Sequence, residues 1–459
     1  MSTSSVNYIS ASSASQTGGL GAGIDVGAMV DAAMSAARAP EQQWEDEETT
    51  LSAQSTVLNS LSSQLTALQT SIQALTDPNG QFDAKTTAST DSSVVSATAG
   101  NTASVGTHTI VVSQLATTSS YSSGALTDGN TAFGQGTFYL QLGKNTPVAI
   151  NVDSSNDTLN TLSSYINGQD LGVTATVITD SSGARLALYS NASGAAGNIT
   201  IDPTGYSNTT GLSFTAGTSG VDASLTVDGI QIDSSSNTIS TVIPGVTLNL
   251  TGTNTIATPV QISVEPDTDG ASTALNNFAT AYNTLITSIN AQFTYDAASG
   301  EAAPPLLGDS GVEIVQQELM DNVGFQVTGN PGVESLADLG ITVNDDGTLT
   351  VDNSQLTDVL SSQFNDVQSF LQNGSTAFAQ NFASDLDSLT DPISGPLNVE
   401  ITQDTQSITG LQSQIADFES NLAATQQQLT DEYSQIDTTL EELPQMLAQV
   451  SSQLGSLSG

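Results

Sequence analysis

Basic side chains are nearly missing from this chain of 459 residues: Lys+Arg number 4 against 47 Asp+Glu, for a formal net charge of -43. Four cations cannot neutralise a row of phosphates, the contact from which nucleic-acid binding draws most of its affinity. They cannot grip an anionic lipid surface either. Nucleic acid is therefore excluded as a partner. Cysteine is absent, which removes thiolate nucleophiles, thiolate-held zinc, iron–sulfur clusters and disulfides. No run of 18 apolar residues occurs, so membrane insertion is not expected. The amino terminus has neither the basic nor the apolar region of a cleaved secretory signal, and a Ser-, Thr-, Asn- and Gly-rich body suggests export by another route.

Groups for catalysis are equally scarce. The one histidine, His108, falls on the apolar face of an alternating segment and reads as a half-buried core residue; no G-x-S-x-G nucleophile turn accompanies it. Gly19, Gly21 and Gly23 form a glycine-rich stretch, but no strand precedes it and no Lys follows, as a phosphate cradle would require. The acidic clusters Glu265/Asp267/Asp269 and Asp345/Asp346 sit in Gly- or Pro-flanked turns, where Asp serves the local backbone. No enzyme, cofactor or metal centre is expected.

Hydrophobic periodicity is what the chain does have. Leu51, Leu58, Leu65 and Ile72 recur every seven residues, with Leu61, Leu68 and Leu75 three residues after three of them, and the series stops at the turn Asp77-Pro78-Asn79-Gly80. At the other end Ile401, Ile408, Ile415, Leu422, Leu429, Ile436, Leu443, Val450 and Leu457 are all seven apart. Their companions shift from three residues later (Leu411, Phe418) to four (Tyr433, Leu440, Leu447, Leu454), a stutter near Leu429 that unwinds a left-handed supercoil. Pro444 predicts a break, with one helix to about Leu443 and a shorter one beyond. The two helical ends are expected to pair with each other or with copies in neighbouring subunits.

The middle reads as β-structure. Residues 106–115 alternate, and 172–189 form a hairpin around Asp180-Ser181-Ser182-Gly183. Residues 152–159 and 232–239 resemble each other and suggest two related β-modules. Helices return over 275–293 and 310–323, then a hairpin at 341–351 around Asn344-Asp345-Asp346-Gly347, then one helix carrying Leu356, Val359, Leu360, Phe364, Val367 and Leu371. The fold class is α+β multidomain: terminal coiled-coil legs and a stalk, with β-rich heads inserted as nested, discontinuous domains. The boundaries are 1–45 with 420–459 for the leg ends (disordered or coiled coil), 46–78 with 268–419 for a helical stalk, 79–125 with 222–267 for a β-domain, and 126–221 for a distal head.

Several segments resemble one family. Gly19-Leu20-Gly21-Ala22-Gly23-Ile24-Asp25-Val26 followed by Arg38-Ala39-Pro40, the strand at 106–116, Thr158 through Ile166-Asn167 to Ala175, and the blocks LTVDGIQID, PGVTLNLTG and LGITVNDDGTLTVD are similar to the flagellar hook-associated protein 2 family, the filament caps. The match spans about residues 18–457, with 126–221 resembling the flagellin IN repeat. The resemblance implies a ring-shaped homo-oligomer at the distal end of the flagellum that promotes folding and insertion of exported flagellin. It implies flagellin, hook–filament junction proteins, and the flagellar type III export apparatus with its chaperone as partners, and a secreted, extracellular location. Residues 1–18 would be disordered in the free protein. The leg residues on which contact to filament or ring would depend are Leu51, Leu58, Leu61, Leu65, Leu68, Ile408, Leu411, Ile415, Phe418, Leu422, Leu429, Ile436 and Leu440. With only Arg38, Lys85, Lys144 and Arg185 basic, subunit contacts would use apolar burial and amide or hydroxyl hydrogen bonds. Another axial protein of the flagellum, or an extracellular adhesin or glycan-binding protein, is the alternative.

Overall fold

The computed structural model describes residues 26–457 apart from Pro203, Tyr206, Asp296, Ala297, Ser299, Glu301, Pro331 and Ser375. The Gly19–Gly23 stretch and the expected disorder of 1–18 lie outside the described residues. Two compact units divide the chain. Of the described residues, one unit comprises those within 26–73, 276–352 and 369–457; the other comprises those within 74–275 and 353–368.

The first unit is mainly helical. It holds α1 (Val26–Ala37) and most of α2 (Ala39–Thr76), and further on most of α4 (Thr268–Phe293), which comes after α3 (Leu159–Gly168) of the second unit. Then come α5 (Ser310–Val323), the end of α7 (Phe364–Gln372), α8 (Phe378–Leu389) and α9 (Pro396–Leu457). Aromatic rings fill the space among α4, α7 and α8: Phe278 meets Phe378 and Phe382 edge-on at 6.0 and 5.9 Å, and Phe370 stacks on Phe378 at 5.3 Å. All four rings are fully buried, each worth about 1.5–3 kcal/mol in transfer from water.

Three expectations about the chain's helices and repeats are corrected. First, α9 is one helix of 62 residues with Pro444 inside it. A proline removes one rung at a cost of about 3 kcal/mol, and so long a helix keeps intact turns on both sides of the missing bond. Second, the helix expected over 356–371 is two, α6 (Asn353–Ser362) and α7. Ser361 and Ser362 turn their hydroxyls back onto the Thr357 and Asp358 carbonyls, the competition with the helix ladder that weakens a last turn. Third, the likeness of 152–159 to 232–239 ends with those residues. Thr158 caps α3, with Leu159, Leu162 and Ile166 buried at helical spacing, whereas Thr238 opens a strand in which Ile239 and Ile243 are buried. The periods after the shared turn, 3.6 against 2, decide the outcome.

The second unit carries β1 (Lys85–Ser89), β2 (Val95–Ala99), β3 (Gly106–Gln114), β4 (Thr118–Ser123), β5 (Gly136–Leu142), β6 (Val148–Val152), β7 (Val173–Asp180), β8 (Gly183–Ser193), β9 (Ile199–Ile201), β10 (Phe214–Ala216), β11 (Ala223–Val227), β12 (Ile230–Ser234), β13 (Thr238–Ile243), β14 (Val246–Leu250) and β15 (Val260–Pro266). Its antiparallel sheets run β1-β15-β3-β11-β12, β13-β14-β2, β10-β4-β8-β7 and β6-β5-β9. In β3 the alternation puts Ile110 opposite Val260 and Val112 opposite Leu225, all buried. One core gathers these with Val95, Leu248 and Ile262. A second gathers Phe138, Leu140, Leu162, Ile166, Leu186 and Leu188. The chain leaves the first core and returns to it where Thr117 bridges Val221. The hairpin of β16 (Ile341–Val343) and β17 (Leu349–Val351), in the first unit, forms as its turn sequence predicts.

Candidate assembly interface

The two helical ends pair with each other within one chain. Arg38 lies at the joint of α1 and α2 and reaches Glu419; Trp44 meets Phe418; Gln412 donates to Glu48 at 2.7 Å; Ser62 Oγ lies 3.5 Å from Asn398 Oδ1. Each advance along α2 is matched by a retreat along α9, so the helices run antiparallel. The sevenfold leucine series follows from this geometry, since residues three, four and seven apart share a helix face.

The leg positions divide by depth. Leu58, Leu61, Leu65 and Leu68 are buried in the unit's own core, and Leu51 is half-buried above them. On α9, Leu422 is buried, while Ile408, Leu411, Ile415, Phe418, Leu429 and Leu440 are half-buried and Ile436 is exposed. Helix α1 covers part of this stripe: Val30 and Met34 are buried against Leu422, with Phe418, Leu429 and Tyr433 alongside. The stutter near Leu429 thus coincides with the stretch on which α1 packs. Beyond Leu440 the same stripe is open to solvent, with Leu447 64% and Leu454 62% exposed and Leu443, Met446 and Val450 exposed as well.

Charge is concentrated in one contact. Arg38, the sole basic residue in the sequence of this unit, donates through Nη1 to Glu41 Oε2 at 2.7 Å and to Glu419 Oε1 at 3.1 Å. Glu41 is 5% exposed; burial, and then its contact with Glu419, raise its pKa against the opposing pull of the Arg38 bond. Glu419 is held below the usual carboxylate range by the hydrogen bond from Arg38. Both bonds leave from Nη1, whose two N–H groups allow one nitrogen to serve two carboxylates.

A second acidic contact has no cation. Glu400 on α9 packs against the start of α5, where Asp309 caps the helix by accepting from the Val312 N–H at 2.9 Å. Burial, and then the negative charge of Asp309, push Glu400 up to about 7. Asp404, one turn on, is raised by burial and by Asp309 as well.

The candidates for chemistry make local contacts. His108 is half-buried, with Nδ1 2.8 Å from Asp228 Oδ2. Asp267 accepts from the Gly270 N–H at the start of α4, and Asp346 accepts from the Thr348 N–H and hydroxyl in its hairpin turn. Among the described residues no group of three His, Asp or Glu is disposed to hold a metal ion, and no helix is long and apolar enough to cross a membrane. Sequence reasoning missed the Arg38 contact, whose signal was only the scarcity of other bases, and the packing of α1, whose signal was Val26, Val30 and Met34 at four-residue spacing.

Comparison with known proteins gives matches in chain order. Residues 22–119 match the flagellar hook-associated protein 2 N-terminus, 137–192 the flagellin hook IN motif, and 220–445 the flagellar hook-associated protein 2 C-terminus. The B-type flagellar hook-associated protein 2 of Pseudomonas aeruginosa is 33% identical over 321 residues, which cover 64% of this chain and 67% of that one. Flagellar hook-associated protein 2 of Escherichia coli K12 is 27% identical over 345 residues, 71% of this chain and 73% of that one. Among solved structures, the D1-D2-D3 domains of the flagellar cap protein FliD from Escherichia coli align with a TM-score of 0.58 at 27% identity, covering 75% of this chain and 99% of that one.

Proposed function

Because the chain belongs to the flagellar hook-associated protein 2 family, we propose that it caps the distal end of the flagellar filament as a ring-shaped homo-oligomer and promotes the folding and insertion of exported flagellin. The observation that carries this reading is the structural alignment with the cap protein of Escherichia coli, which takes in 75% of this chain and nearly all of that one. Flagellin and the hook–filament junction proteins are the partners, and the distal tip outside the cell is the location. Export would run through the flagellar type III apparatus with a chaperone.

In this reading the legs combine two jobs. The buried leucines of α2 and the half-buried stripe of α9 up to Leu440 hold the helix pair together. The open continuation through Leu443, Leu447, Val450 and Leu454 meets apolar helices of the filament, since apolar knobs that no described helix of the chain covers need holes on a partner. The division into stalk, β-domain (79–125 with 222–267) and distal head (126–221) is supported by the two separate cores of the β-rich unit. Removing the gene from its host should release unpolymerised flagellin into the medium and leave short or absent filaments, with recovery on restoring the chain. Filaments of normal length without it would refute the cap role.

A further inference from the structure

The sheet β10-β4-β8-β7 ends on β7, whose sequence is VTATVITD. Up to its closing Asp180 the strand carries no charge, no Pro and no Gly, and every residue but Ala175 is β-branched. An uncharged β-branched segment on a sheet edge is the composition that pairs with another chain. Natural edges are commonly blunted with lysine, and a chain with 4 basic residues has placed none on β7.

The pairing register shows which peptide groups point outward. Asp180 lies opposite Gly183 across the two-residue turn, so the even-numbered residues of β7 bond to β8 and Val173, Ala175, Val177 and Thr179 face the open side. At the centre of that side the last turn of α3 intervenes. Asn167 Oδ1 accepts from the Ala175 N–H at 2.8 Å, and Asn167 Nδ2 donates to the Ala175 carbonyl at 2.8 Å. Ser163 Oγ donates to the same carbonyl at 2.8 Å. The carboxamide therefore pairs with Ala175 as a peptide group of a neighbouring strand would. Ile166, the residue before it, is fully buried in the head core, which fixes the helix and so the amide.

We propose that Asn167 guards this edge against strand addition by β7 of a second copy. Its amide occupies the pair of backbone groups in the middle of the edge, which an incoming strand must have to keep a continuous ladder. Val177 and Thr179 alone offer too short a run. The Ile166-Asn167 pair of the IN segment thus has a division of labour: the isoleucine anchors α3 and the asparagine closes the sheet. The inference does not depend on the cap role.

The test is sedimentation velocity of the full-length Asn167→Ala variant over a range of concentrations, with circular dichroism to follow the fold. Asn167→Ala should raise the fraction of species larger than those of the parent several-fold. Adding Thr179→Pro should reverse it, because proline on the outward side of an edge strand costs no ladder bond and blocks pairing. Asn167→Ala sedimenting as the parent does, or associating regardless of Thr179→Pro, would overturn the proposal. Should Asn167→Ala fail to fold, amide exchange in the unaltered chain decides: Ala175 must exchange several-fold more slowly than Val177 and Thr179, and equal rates overturn the guard.

Discussion

Trp44 and Phe418 meet edge to face, with ring centroids 5.2 Å apart and planes at 86°. The contact joins the beginning of α2 to the middle of α9 and lies beside the Arg38–Glu419 bond. An aromatic pair in this geometry contributes about 0.5–1.5 kcal/mol beyond its buried area. A double-mutant cycle of Trp44→Ala and Phe418→Ala, read by denaturant unfolding, should return a coupling of about that size. A coupling near zero would mean that the helical ends are held elsewhere.

Arg38→Ala should destabilise the helical unit by about 1–3 kcal/mol at neutral pH, because Glu41 is buried and would lose its charged donor. Arg38→Lys should recover part of the loss, since the ammonium keeps the charge but has a shorter reach and a more strongly hydrated head than the guanidinium. Acid should narrow the gap between Arg38→Ala and the parent, as protonating Glu41 removes the buried charge. Melting curves in mildly acidic and in neutral buffer check both statements.

Glu400 sets the sign of a pH effect. Its pKa in the folded chain, about 7, lies above its ordinary value of 4.5. Between those values the folded chain holds a proton that the unfolded chain has released. Its contribution is fully present below the unfolded value and is lost as pH rises through about 7. Asp404 adds in the same direction. Glu400→Gln, which places a donor against Asp309 at every pH, should flatten the stability profile between about pH 5 and 8 and be the more stable protein at the alkaline end. An unchanged slope would contradict the raised pKa.

Two leucines of the same heptad logic should behave oppositely. Leu61 is 1% exposed and Leu447 64%. Leu61→Ala should cost about 2–5 kcal/mol, whereas Leu447→Ala should change stability by less than about 0.5 kcal/mol. Thermal melts of the two variants separate core leucines from surface ones.

Much of this fold was legible. The sevenfold series found α2 and α9, the turn at Asp77–Gly80 found where α2 stops, and the bounds of α5 and of the β16–β17 hairpin follow from capping and turn residues. These are local signals, each contained within a few turns of chain. The hidden part is non-local. The antiparallel register of α2 on α9 depends on contacts such as Arg38 with Glu419, and a periodicity fixes a face but not the residue that faces it. The same limit made buried and exposed leucines look alike, because Leu65 and Leu443 both belong to a sevenfold series, yet Leu65 is buried and Leu443 exposed. Pro444 misled because the penalty of one proline was weighed without the length of the helix around it.

In the proposed function the open end of α9 carries the contact with the filament. The most direct measurement is filament growth in cells whose only copy of the chain bears Leu447→Asp and Leu454→Asp, with circular dichroism of the purified variant alongside. The expected result is a folded protein, flagellin lost to the medium and filaments absent or short. Filaments of normal length on a folded variant would contradict it.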